Sequence, residues 1–300
     1  MYIAIVFSLI TVLITASSNV LLKKGFFRIE PFLVVYLTVA ISSFFLWVCT
    51  FTFIPKIPFH NYKGILIFVL IGSFAPTLVR TLTYYGIHTL GAGRAAPLRA
   101  LTPFFAVIMA IIFLKENPNF LIFLGILCII LGVVTIGRDR HKSIEFPYKI
   151  SHFLYPLAAA FLAGIAANMR KYGLNLMPEP IFAATIAATS ALFFLTLYIM
   201  FKRKQYIEKL TRLAFYKKEF IFITVAAFLI TAGEITDLLA LNYGCVSLVV
   251  PIFAITPFAI ILLSHIFLKK QEKMTINVIY GVLLIVLGVC ITIWSNLSSS

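Results

Sequence analysis

Apolar side chains occur along this chain in long unbroken runs, separated by short polar gaps. Runs long enough to cross about 30 Å of hydrocarbon occupy residues 3–22, 32–54, 64–86, 92–114, 119–137, 151–171, 179–201, 220–243, 246–268 and 275–294. None alternates apolar with polar residues as a barrel strand does, and Leu, Ile, Val, Ala and Phe fill every face, so each run predicts a membrane-crossing helix. The expected fold is therefore an all-α membrane protein of ten transmembrane helices. Connections are short, the longest being Lys202 to Glu219. They leave no room for a soluble catalytic domain.

The pattern repeats. Pro97-Leu-Arg-Ala-Leu-Thr-Pro-Phe104 returns as Pro251-Ile-Phe-Ala-Ile-Thr-Pro-Phe258, and the only change of chemical type is Arg99 against Phe253. Asn19 and Glu30-Pro31 recur as Asn168 and Glu179-Pro180, and Tyr85-Gly86 recurs as Tyr243-Gly244. Glu116, Gly125 and Gly132 match Glu272, Gly281 and Gly288. The expected division is a first five-helix repeat over residues 1–140 and a second over 150–296. Five crossings per copy oblige the second copy to enter from the opposite face, giving an inverted pair, an architecture typical of secondary transporters. Pro97 and Pro103, like Pro251 and Pro257, each remove an amide donor from an apolar run. They predict bends or hinges, with Thr102 and Thr256 placed to serve the freed carbonyls.

Composition agrees with the pattern: 62% of the 300 residues are hydrophobic and 12% charged, well outside the usual range of soluble domains. The net charge of +15 would suggest nucleic acid in a soluble protein. Here the basic residues fall between apolar runs, where they meet lipid headgroups, and no nucleic-acid partner is expected. Residues 1–22 lack a basic leader and are expected to span the bilayer as part of the fold. Cys49, Cys128, Cys245 and Cys290 lie in or beside apolar runs without metal-ligand spacing, and no phosphate loop or nucleophile elbow is present. No metal, cofactor or enzymatic activity is expected.

Ionisable side chains at membrane depth cost roughly 2.5 to 3.5 kcal/mol each on insertion scales and need a reason to be there. Arg80, Arg99, Glu234 and Asp237 are the candidates. Glu234 and Asp237 share a face of one helix. They read either as ion-pair glue or as a substrate-amine or proton site. Depth along the helices, at about 1.5 Å per residue, brings Arg99 within reach of Glu234 and leaves Arg80 near a mouth. The expected charged centre is thus Arg99 with Glu234 and Asp237. Asn19 and Asn168 either bond across helices or line the cavity, and Tyr243 is an interfacial anchor or a cavity aromatic. Glu116 and Glu272, at run ends, are expected to cap locally or form surface pairs.

Taken in order, the Pro103 to Glu116 and Pro257 to Glu272 segments, the glycine-bearing runs that follow them, and the paired Asn19 and Asn168 resemble the EamA-type permeases of the drug/metabolite transporter superfamily. The resemblance implies a basket-like bundle around a central cavity. It also implies carriage of amino acids, other small metabolites or drugs, commonly outward, without ATP and with a proton or ion gradient as a possible driving force. A small-molecule substrate, the lipid bilayer and a multi-pass place in the cell membrane follow from it, with a monomer plausible. A lipid-linked or amphiphile flippase is the alternative, suggested by the Phe-rich runs.

Orientation follows from charge. Loops after the odd-numbered runs carry 18 Lys and Arg residues against five on the opposite side, so both termini are expected outside the cytoplasm, whereas the family resemblance implies cytoplasmic termini. An impermeant thiol reagent applied to intact cells is predicted to label Ser298→Cys and to spare Lys204→Cys. Labelling of residue 298 from the cytoplasmic side alone would reverse the orientation.

Overall fold

A computed structural model describes residues 1–25, 31–90, 92–139, 150–202, 217–268 and 276–298. The described residues are helical, with no strand among them. The first half comprises α1 (Tyr2–Gly25), α2 (Pro31–Phe53), α3 (Tyr62–Phe74), α4 (Arg80–Leu90), α5 (Ala92–Arg99), α6 (Thr102–Met109) and α7 (Phe120–Asp139). The second comprises α8 (Leu154–Leu176), α9 (Pro180–Phe201), α10 (Lys217–Tyr243), α11 (Val246–Phe253), α12 (Thr256–Leu268) and α13 (Ile276–Ser298). Eight helical stretches are long and apolar enough to cross a membrane, and Phe120–Ile136 and Val246–Ile260 are shorter apolar helices. The protein is a multi-pass membrane protein.

Proline breaks the helices at matching places. α5 ends at Arg99 and α6 begins at Thr102, just as α11 ends at Phe253 and α12 begins at Thr256. Pro103 and Pro257 each sit at the second position of the new helix, where a missing amide costs nothing. Thr102 Oγ1 donates to Arg99 O at 2.8 Å, serving the carbonyl that Pro103 leaves without a donor. A π-helical turn at Ala75–Val79, containing Pro76, links α3 to α4, and another at Ala110–Leu114 follows α6. Such turns insert an extra residue and bend the helix.

Contacts between the halves hold the bundle together. α1 lies along α10, α2 along α9 and α10, α3 along α8 and α9, and α6 along α8. Between α2 and α9, Thr50 and Thr185 share a hydrogen bond of 2.7 Å and Trp47 Nε1 donates to Thr189 Oγ1 at 3.0 Å. These hydroxyls give the apolar seam a fixed register.

α7 and α13 make the closest approach. A Cβ on Gly125 would stand 2.6 Å from Gly288 O, and one on Gly132 would stand 2.5 Å from Gly281 O; the converse distances are 2.4 Å for Gly288 and 2.5 Å for Gly281. The two helices are antiparallel, and glycine meets glycine at both crossings. Lipid tails are as apolar as these side chains, so close backbone packing rather than hydrophobic transfer holds the pair. Gly132→Leu is therefore expected to lower the thermal unfolding midpoint in detergent, at a cost of about 2 kcal/mol for overpacking. An unchanged midpoint would show that α7 and α13 separate freely.

Candidate functional site

Between the halves lies a cavity of ≈ 290 Å³, close to the lower end of small-molecule sites, at about 300 Å³. α2, α3, the Ala75–Val79 turn and α5 line it from the first half; α8, α9 and α10 line it from the second. The wall residues follow helical spacing. Ala184, Ala187, Ala188 and Ala191 form one stripe of α9, while Ala163, Ala166 and Arg170 form one face of α8. Alanine supplies apolar wall with little bulk, which leaves the space open. Phe68, Ile71, Val79, Ile230 and Leu238 add apolar surface, and Thr38 and Ser42 add hydroxyls.

Four charged residues border this space: Arg99, Arg170, Glu234 and Asp237. Three were expected from the sequence. Their pairing differs from expectation, because Asp237 Oδ2 accepts from Arg170 Nη1 at 2.7 Å. Arg99 instead donates from Nη1 to Ala159 O at 2.8 Å and to Thr102 Oγ1 at 3.2 Å. Glu234 takes part in interactions of its own. Arg170 stands at the very end of the 151–171 run, where the charge count takes it with the loop cations. α8 actually continues to Leu176, where Glu179 and Pro180 follow and begin α9, and both Arg170 and Lys171 lie within it. Ending the run at its charges concealed the residue, although the apolar Leu174 and Leu176 beyond were the signal that the helix went on. Arg80 opens α4, and its side chain lies outside the described residues.

The remaining expected site residues are dispersed. Asn168 is buried in α8 and donates to Ala106 O of α6 and to Gly164 O, each at 2.9 Å. Asn19, its sequence mate, donates to Thr15 O of its own helix at 2.7 Å. Tyr243 is half exposed and stacks on Phe7 with ring centroids 6.2 Å apart, away from the cavity wall. Pro97 and Pro251 lie inside α5 and α11.

Glu116 does more than local capping. Lys115 adopts φ 55°, a left-handed turn that ends the π-helical segment. Glu116 Oε1 then accepts from Val246 N at 2.8 Å and Oε2 from Ser247 N at 3.0 Å. A carboxylate from the first half thus caps α11 in the second. On the other side of the same turn, Lys171 Nζ donates to Leu241 O in the last turn of α10 at 2.7 Å. Anion at a helix start and cation at a helix end both oppose the local dipole.

The sequence profile of the EamA-like transporter family matches residues 2–138 and again residues 151–294. The chain belongs to the EamA-like transporter family and is thus a membrane transporter of the drug/metabolite transporter superfamily. No curated protein matches the sequence. Among 27 matching chains of known structure, one, described only as a crystal structure of a protein, superimposes with a TM-score of 0.75 at 15% identity, over 99% of each chain. At that identity the likeness supports the fold alone.

Removing one partner of the Arg170–Asp237 pair strands a charge against the apolar wall. Asp237→Ala is expected to destabilise the purified protein by about 2 kcal/mol, less than a sealed pair because Arg170 is partly open to the cavity. Arg170→Met in the same chain should recover much of that loss. A double-mutant cycle by thermal unfolding measures the coupling; additive losses would leave the two charges energetically independent.

Proposed function

We propose that this protein is a secondary transporter that carries a small organic metabolite, such as an amino acid or drug-like solute, outward across the cell membrane without ATP. The observation that carries the reading is the cavity, whose wall is drawn from both halves and whose charges lie among apolar residues. The chemistry of such a site is recognition and release of a solute.

Alternating access between two inverted five-helix repeats, ten crossings in all, is the mechanism proposed. Supporting it, Gly125 meets Gly288 and Gly132 meets Gly281, and exchanging each glycine for its sequence mate converts one contact into the other. A twofold axis lying across two antiparallel helices has that property, and for crossing helices such an axis lies in the membrane plane. The asparagines suggest the two states. Asn168 ties α8 to α6, while among the described residues Asn19 bonds within α1, as expected if one seam is latched and its mate released. In the opposite state the roles exchange. The prolines at the breaks of α5–α6 and α11–α12 are the proposed hinges, and Arg99, Arg170, Glu234 and Asp237 form the proposed substrate pathway. A cavity of ≈ 290 Å³ favours a small solute over a lipid-linked one.

In proteoliposomes the protein is expected to dissipate a gradient of a labelled small solute with no ATP present. Pro103→Ala and Pro257→Ala should each slow maximal flux about tenfold, equivalent to ~1.4 kcal/mol on the barrier, with little change in half-saturating concentration. Equal flux in all three proteins would make the prolines packing features only, and no flux of any solute tested would remove the transporter reading.

A further inference from the structure

Arg99 occupies an unusual electrostatic position. It borders the cavity, yet among the described residues it has no carboxylate partner. Of the two acids that border the cavity, Asp237 is engaged by Arg170 and Glu234 takes part in interactions of its own. A cation held among apolar helices is costly unless an anion answers it. Nothing in the protein's own described contacts answers Arg99.

Its geometry is that of an anchored fork. Nη1 is fixed by Ala159 O at 2.8 Å and Thr102 Oγ1 at 3.2 Å. Nε and Nη2 have no acceptor among the described residues, and they are not sealed from open space. Two bonds on one nitrogen hold the plane of the guanidinium while its other N–H groups stay available. A planar fork of that kind matches an oxyanion.

Folding alone does not require the charge. The same break in the second half, between α11 and α12, is made with Phe253 at the matching position, and Phe253 packs against the hydrophobic core. An apolar residue therefore satisfies the backbone requirement, and Arg99 is an addition to it.

We propose that Arg99 is the docking point for an oxyanion, so that the solute is a compact organic anion whose carboxylate or phosphate lies on Arg99 and whose apolar body lies against the alanine faces of α8 and α9. This deepens the transporter reading and rests on it only for what happens after binding. Arg170 and Asp237 pair beside the site, Glu234 has interactions of its own, and Arg99 offers the planar fork that takes the head group.

The test uses the purified full-length protein in detergent and four probes that share a phenyl ring: benzoate, phenyl phosphate, benzylamine and benzyl alcohol. Benzoate or phenyl phosphate is expected to raise the unfolding temperature in a saturable manner, the stronger of the two identifying the preferred head group, while benzylamine and benzyl alcohol are not. Arg99→Gln should weaken anion binding by about tenfold or more, the loss of a charge-assisted hydrogen bond. Arg99→Lys keeps the charge without the planar fork and should bind the anions more weakly than wild type, so it carries the test if Arg99→Gln does not fold. Stabilisation by benzylamine equal to that by benzoate, no shift with either anion, or unchanged benzoate binding in both variants would overturn the proposal. Flux separates it from the transporter reading: anion binding that depends on Arg99 without flux leaves the site and removes transport. Flux of an amine without anion binding does the reverse.

Discussion

Hydrocarbon supplies no hydrogen bonds, so every backbone group released by a bend must be answered from within the protein. That constraint organises the polar chemistry of this molecule. Pro103 releases Arg99 O, and Thr102 takes it. The turn between α10 and α11 exposes a helix end and a helix start; Lys171 reaches the first and Glu116 the second. Arg99 adds a bond to Ala159 O inside α8, and Asn168 adds one to Ala106 O, which Ala110 N already bonds where α6 meets a π-helical turn. Several long polar side chains that enter the bundle thus end on a carbonyl or an amide of another segment. Segments held in this way bend with those backbone groups answered, and the bend at Ala75–Val79 borders the cavity.

Close packing and open space are made from the same small residues, used differently. On α7 and α13 the glycines let two backbones touch. On α8 and α9 the alanine stripes line a space that α2, α3 and α10 also border. The difference lies in what stands opposite. A glycine facing a glycine carbonyl closes the distance, whereas an alanine facing a bent segment at Ala75–Val79 leaves a void. Pro76 and its π-helical turn thus shape the site as much as the charged residues do.

Likeness between the halves supplies the scaffold, and departures from it supply the chemistry. Matching breaks fall at Arg99 and Phe253, yet only the first carries a charge into the cavity. Asn168 and Asn19 are matched in sequence, yet among the described residues one crosses to a neighbouring helix and the other bonds within its own.

The all-helical membrane fold was legible in the sequence, since a bilayer demands runs of fixed length with internally bonded backbone. So were the break points before Pro103 and Pro257, although Pro97 and Pro251 stand inside helices, and the inward placement of Arg99, Glu234 and Asp237, because charges at membrane depth are too costly to face lipid. Partner choice was not legible. Asp237 meets Arg170 rather than Arg99 because α8 runs on to Leu176 and carries Arg170 to the cavity, a matter of a few residues of helix that hydropathy reads as a loop. Glu116 caps α11 because a left-handed Lys115 turns it toward a helix more than a hundred residues away. Burial cost is a local property that sequence carries; which groups meet depends on how separate helices cross, and only the assembled bundle decides that.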